Sequence, residues 1–166
     1  MAATITAHHL YLVVDDWAGN SINYCKPVAK TVADRTALLR AAASGNPKFF
    51  FGSDSAPHPA VSKRRGDMVA AGVFTQPYTT QLVVEALERG VETGVLREED
   101  ITLEKLEGFL SGYGRDFYGL GKESKERIQL TKGYDRIMDI LESEDGSVQV
   151  LPFRRGETTR SLKWVG

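Results

Sequence analysis

Lys48-Phe49-Phe50-Phe51-Gly52-Ser53-Asp54-Ser55-Ala56-Pro57-His58 reads as a strand buried on both faces that opens into a turn. Its apolar residues follow one another without polar alternation, the pattern of a strand covered from both sides, as in a parallel sheet. Gly52 and Pro57 then turn the chain, so Asp54 and His58 fall where strand becomes loop. In a (β/α)8 barrel that is where catalytic side chains stand. The stretch therefore predicts an α/β fold with chemistry at the end of a strand.

Upstream, residues 34–43 predict a helix with Ala37, Leu38 and Ala41 on one face and Gly45 as its stop. Residues 34–54 thus form helix, turn and strand, half of the repeating unit of a parallel sheet. Nearer the amino terminus, Ala3-Thr4-Ile5-Thr6 reads as a short strand, and Cys25-Lys26-Pro27-Val28 as an extended or turn segment. A strand that begins at residue 3 suggests a chain that is cut rather than begun.

Downstream, the segment from His58 to Gly72 reads as a basic loop carrying Lys63, Arg64 and Arg65. Such a run is ordinarily a solvated surface, and beside an active site it would steer a dicarboxylate. A helix is expected from about Thr80 to Gly90 or Gly94, and an amphipathic one over residues 102–110. Gly112, Gly114, Gly119 and Gly121, interleaved with Tyr113, Phe117 and Tyr118, read as a tight connection without the order of a dinucleotide fingerprint. Residues 127–130, 134–141 and 148–153 read as short strands or helical turns, and 154–157 as a charged turn. One partial domain is expected over 1–166: strands and helices to about residue 95, then a helical and extended segment from about 96.

Composition narrows the function. With 21 basic and 22 acidic side chains the formal charge is −1, which gives no electrostatic reason to expect nucleic acid. The single cysteine, Cys25, allows neither an intrachain disulfide nor a thiolate cluster, so a reducing, cytoplasmic setting is expected. No apolar run approaches the roughly 18 residues of a membrane span, and no leader pattern is present. At 166 residues the chain falls well short of the roughly 250 of a complete barrel.

Two readings of the strand-end residues stay open at this level. Asp54 either coordinates a divalent metal and exchanges a proton with water, or caps the turn that follows it. His58 either meets a carboxylate or a metal, or bonds a backbone carbonyl. His8 and His9, adjacent in an extended segment, are expected to point to opposite sides and not to share a metal.

Phe51-Gly52-Ser53-Asp54-Ser55-Ala56-Pro57-His58 resembles the signature near the last barrel strand of dihydroorotases, in the metal-dependent amidohydrolase superfamily. Collinear stretches extend the likeness: Ala3-Thr4-Ile5-Thr6-Ala7-His8-His9-Leu10, Cys25-Lys26-Pro27-Val28-Ala29-Lys30 and Ala70-Ala71-Gly72-Val73-Phe74-Thr75-Gln76-Pro77. Phe117-Tyr118-Gly119-Leu120, Val150-Leu151-Pro152-Phe153 and Gly156-Glu157-Thr158 carry it to the carboxy end. The chain is most similar to the single-function, homodimeric branch, with a fungal flavour.

The resemblance implies the carboxy-terminal portion of a (β/α)8 metallohydrolase with terminal helices. Its implied reaction is the reversible hydrolysis of L-dihydroorotate to N-carbamoyl-L-aspartate, run on a zinc pair. Asp54 would be zinc ligand and general base, and His58 would hold the substrate carboxylate with backbone groups of Ala71 and Gly72. Lys26 would contribute main-chain hydrogen bonds to the ring. The implied partners are the small-molecule substrate, a second copy in a homodimer or a complementing amino-terminal half, and neither nucleic acid nor membrane.

The family's His-x-His pair, carboxylated lysine and mid-strand histidines have no counterpart here, and His8-His9 aligns with a later, non-ligand segment. Three expectations follow: a fragment inactive by itself, a binding or regulatory module or split half derived from the enzyme, or an unrelated anion binder using Lys63 to Arg65.

Overall fold

A computed structural model describes residues 1–64, 68–121 and 126–165. Strand β1 (Ala3–Ile5) pairs in parallel with β2 (Phe49–Phe51), in the register Ala3 to Phe49, Thr4 to Phe50 and Ile5 to Phe51. Between them lies helix α1 (Val32–Ala43), which begins two residues earlier than its apolar pattern suggests because Thr31 caps it. Thr31 Oγ1 accepts from the Asp34 amide at 3.2 Å, while Asp34 Oδ2 accepts from the Thr31 amide at 2.9 Å. The two bonds satisfy donors that a helix start otherwise leaves free. The helix ends at Ser44, and Gly45 follows with φ +71°. Its buried residues are Leu39, Ala42 and Ala43, whereas Ala37 is exposed. The inward face is thus rotated by about one residue from the expected one.

Helix α2 (Ala60–Arg64) replaces the basic loop expected after His58, and it buries Ala60 and Lys63. Arg65 lies outside the described residues. Helix α3 (Thr79–Glu92) carries Leu82, Val83, Ala86 and Leu87 into the core, where they meet Ile5, Leu10, Leu12, Leu39, Phe109, Ile137 and Phe153. Each large apolar side chain fully buried there contributes about 1.5–3 kcal/mol.

Helix α4 (Leu103–Glu107) passes through a π-helical turn at Gly108–Gly112 into helix α5 (Tyr113–Tyr118). Gly112 and Gly114 are therefore helical, while Gly119 ends α5 at φ +66° and Gly121 lies beyond it at φ +72°. Glycine is needed at 108 because a Cβ would stand 2.3 Å from the Tyr113 ring, whose hydroxyl donates to the Gly45 carbonyl at 3.0 Å. Gly114 leaves room for Phe50, and Phe117 and Tyr118 complete that contact. Phe50 thus packs toward α5, while Phe49 and Phe51 pack on the main core, so β2 is covered on both faces.

The remaining chain forms an antiparallel ribbon of β3 (Arg127–Arg136) and β6 (Thr158–Val165), plus a short pair, β4 (Leu141–Glu142) with β5 (Gln149–Val150). The ribbon is fastened to α3 through Glu85. That carboxylate accepts from Arg154 Nη1 at 2.7 Å, from Thr159 Oγ1 at 2.7 Å and from the Arg160 amide at 3.0 Å. Arg160 also pairs with Glu88. The fold is α/β, and among the described residues its small sheets do not close into a barrel. Among them, too, no helix is long and apolar enough to cross a membrane.

Candidate functional site

Parallel pairing builds the site. Ile5 stands opposite Phe51, so three further steps along each strand bring the chain to His8 and to Asp54. His8 Nε2 lies 4.0 Å from Asp54 Oδ2. The chain leaves β1 through a 3-10 turn at His8–Leu10. Successive residues in such a turn are rotated by about 120°, not by the 180° of a strand. His9 therefore stays near His8, with ring centroids 4.7 Å apart. One ligating atom from each of His8, His9 and Asp54 lies within 4.8 Å of the others. This corrects the expectation that the two histidines diverge.

The three groups differ in setting. His8 is buried, and the Asp54 side chain is 55% exposed. Asp54 sits at φ +39°, a left-handed conformation that aspartate adopts more readily than most residues. Burial, reinforced by His9, pushes the His8 imidazole down to about 4. At neutral pH the ring is neutral, so its approach to Asp54 is not an ion pair. Burial also lowers His9, opposed by its bond to the Pro27 carbonyl and by Asp54. His9 Nε2 lies 3.1 Å from that carbonyl oxygen. A carbonyl only accepts, so Nε2 carries the proton and Nδ1 the lone pair. Neutral imidazoles beside a carboxylate are the donor types zinc takes. The set fits one ion and leaves a second without a comparable group of donors among the described residues.

A second arrangement flanks the first. His58 Nε2 donates to the Ala71 carbonyl at 3.0 Å. The Gly72 amide donates to the Tyr24 carbonyl at 2.9 Å, and the Ala56 amide to the Val73 carbonyl at 3.0 Å. Ser55 Oγ accepts from the Thr75 and Gln76 amides, both at 3.0 Å. The loop after β2 is thereby stitched to residues 71–76, bringing His58, Ala71 and Gly72 together. Lys26 is exposed, its ammonium 5.4 Å from the centre of the Tyr24 ring.

Sequence reasoning missed Lys63, whose side chain is buried and bonded to main-chain carbonyls. Ala60, one helical turn earlier and also buried, was the available signal. With Lys63 turned inward, an anion site built on a surface run of Lys63, Arg64 and Arg65 loses its first member.

No family model matches the chain. It is 40% identical over 168 residues to the dihydroorotase of Saccharomyces cerevisiae, covering 99% of this chain and 43% of that protein. A probable dihydroorotase of Schizosaccharomyces pombe is 42% identical over 165 residues, with the same two coverages, 99% and 43%. Among solved structures, the S. cerevisiae dihydroorotase in complex with 5-fluoroorotic acid superposes with a TM-score of 0.83 at 41% identity, over 98% of this chain and 43% of that one. Dihydroorotase from Campylobacter jejuni gives 0.74 at 31% identity, over 99% and 45%. The chain spans less than half the length of these relatives, and over that part it is homologous to dihydroorotases.

Proposed function

We propose that this chain supplies the carboxy-terminal wall of a dihydroorotase active site, for reversible hydrolysis of L-dihydroorotate to N-carbamoyl-L-aspartate in the cytoplasm. On this reading β1 and β2 are neighbouring strands of a (β/α)8 barrel, and the protein belongs with the single-function, homodimeric, fungal-like enzymes. The observation that carries it is Asp54 facing His8 across the ends of two paired parallel strands, with His58, Ala71 and Gly72 on the adjoining loop.

Asp54 is exposed just beyond the end of β2, so it can take a proton from water as the water oxygen attacks the ring carbonyl carbon. It returns that proton to the ring nitrogen as the carbon–nitrogen bond breaks, and ring closure runs the same transfers backwards. His58 gives Nε2–H to Ala71, which leaves Nδ1 to face the substrate carboxylate, as a donor when the ring is an imidazolium. Main-chain groups of Ala71 and Gly72 complete that contact, and the backbone at Lys26 meets the pyrimidine ring. His8, His9 and Asp54 would hold a zinc ion, which when bound polarises the amide and acidifies water.

A non-catalytic binding or regulatory module derived from a dihydroorotase is favoured by one observation: the described residues gather donors for a single ion. Zinc content and L-dihydroorotate hydrolysis, measured before and after mixing with a chain carrying the complementary amino-terminal half, separate the readings. Turnover with about two zincs only after mixing supports the enzyme reading. Substrate binding without turnover supports the module, and no zinc, binding or turnover in either sample sinks both.

A further inference from the structure

Lys63 is a cation taken into the protein with no carboxylate paired to it among the described residues. Its side chain is buried at 4% exposure, and Nζ donates to the carbonyls of Tyr24 at 2.9 Å, Ala70 at 2.9 Å and Gly72 at 2.8 Å. An ammonium has three N–H donors and a neutral amine two, so this triple contact is saturated only in the charged form. The lysine is itself held, because Ser21 Oγ donates to its carbonyl and the Ala70 amide donates to the Ser62 carbonyl at 3.0 Å.

The bonded carbonyls belong to two segments that meet beside His58. Tyr24 O also accepts the Gly72 amide, and Ala71 O accepts from His58. Lys63 thus grips the main chain on both sides of Ala71. Main-chain carbonyls turned toward one point repel one another unless a cation gathers them, and burying a charge without an acid partner is costly. A carbonyl set that tolerates such a charge gains from it the alignment of the peptide groups.

We propose that Lys63 is a positioning residue for the carboxylate-binding pocket, its ammonium fixing Ala70 to Gly72 against Tyr24 so that the Ala71 carbonyl and Gly72 meet His58. It also leaves a net positive charge one hydrogen bond behind the pocket wall, which favours an anionic ligand over a neutral one. This rests on the functional reading above only for the ligand's identity.

The test uses the 166-residue chain and its Lys63→Ala and Lys63→Met variants, read by amide hydrogen exchange at Gly72 and, after mixing with the complementary amino-terminal half, by L-dihydroorotate titration followed by NMR. In both variants Gly72 exchange should rise about tenfold or more while the Leu87 amide in α3 stays within about twofold. Propylammonium should restore Gly72 protection to Lys63→Ala, and propanol, of similar size but uncharged, should not. Dihydroorotate affinity should fall about tenfold in Lys63→Met.

Unchanged Gly72 exchange in a folded variant, or equal rescue by propanol, overturns the positioning role. If neither variant folds, Lys63→Gln, which keeps N–H donors without charge, is read by the same criteria. Absence of any dihydroorotate shift even after mixing with the complementary amino-terminal half overturns the functional reading, while exchange and rescue still decide the role of Lys63.

Discussion

Gly72 lies against His58 through the space a side chain would fill: a Cβ at position 72 would stand 2.8 Å from His58 Nε2 and 2.7 Å from the Ala56 Cβ. Its φ of +154° is a conformation that glycine alone adopts readily. The imidazole therefore rests on bare main chain, with peptide groups within reach of whatever it binds. Gly72→Ala should destabilise the protein by about 2 kcal/mol and shift the His58 ring resonances. Urea denaturation together with imidazole NMR checks both, and an unperturbed ring would show that the contact does not set its position.

Asp54→Asn keeps the size of the side chain and tolerates φ +39°. It should abolish turnover of L-dihydroorotate in a reconstituted complex while leaving the thermal midpoint within a few degrees of the parent. Steady-state hydrolysis and a circular dichroism melt provide the two readings. Retained turnover would remove Asp54 from the chemistry.

His8 titrates near 4 in the folded chain and at 6.5 without its surroundings. Above pH 6.5 both states hold the neutral ring, so His8 adds no pH dependence there. As the pH falls from 6.5 toward 4, the unfolded chain takes the proton and the folded chain resists it, and stability drops by up to roughly 3 kcal/mol. Denaturation curves in chelator at several pH values should show this fall, and His8→Gln should flatten it. Equal slopes in the two proteins would place the acid sensitivity elsewhere.

Glu85 accepts hydrogen bonds from Arg154, Thr159 and Arg160, and its side chain is 17% exposed. Glu85→Ala leaves the Arg154 guanidinium half-buried beside Tyr11 without that carboxylate, at a cost of about 2–4 kcal/mol. Chemical denaturation measures the loss. Amides of the β3–β6 ribbon should lose protection before those of α1, and uniform loss would mean that Glu85 holds the whole fold and not the ribbon alone.

The phenylalanine run disclosed β2 because burial on both faces leaves a local mark, and Asp54 and His58 were legible as its sequel. The pairing of His8 with Asp54 was not, since it depends on a register between strands 46 positions apart and on a turn that breaks the alternation of His8 and His9. Lys63 was hidden for another reason: in a basic run, solvent is the usual partner, and only the fold brings three carbonyls to one ammonium. Gly112 and Gly114 read as part of a connection because helix propensity disfavours them, whereas the close packing of Gly114 against Phe50 favours the helix there.

The two-sided cover of β2 has a geometric consequence. With Phe50 covered by α5, and Phe49 and Phe51 packed on the core, β2 offers other backbone its free margin alone, and among the described residues neither β1 nor β2 has a second neighbour. A strand joining this sheet would enter in its plane, matched by main-chain registration, with side-chain recognition confined to the rims. Such an addition would extend the row of strand ends on which His8 and Asp54 stand.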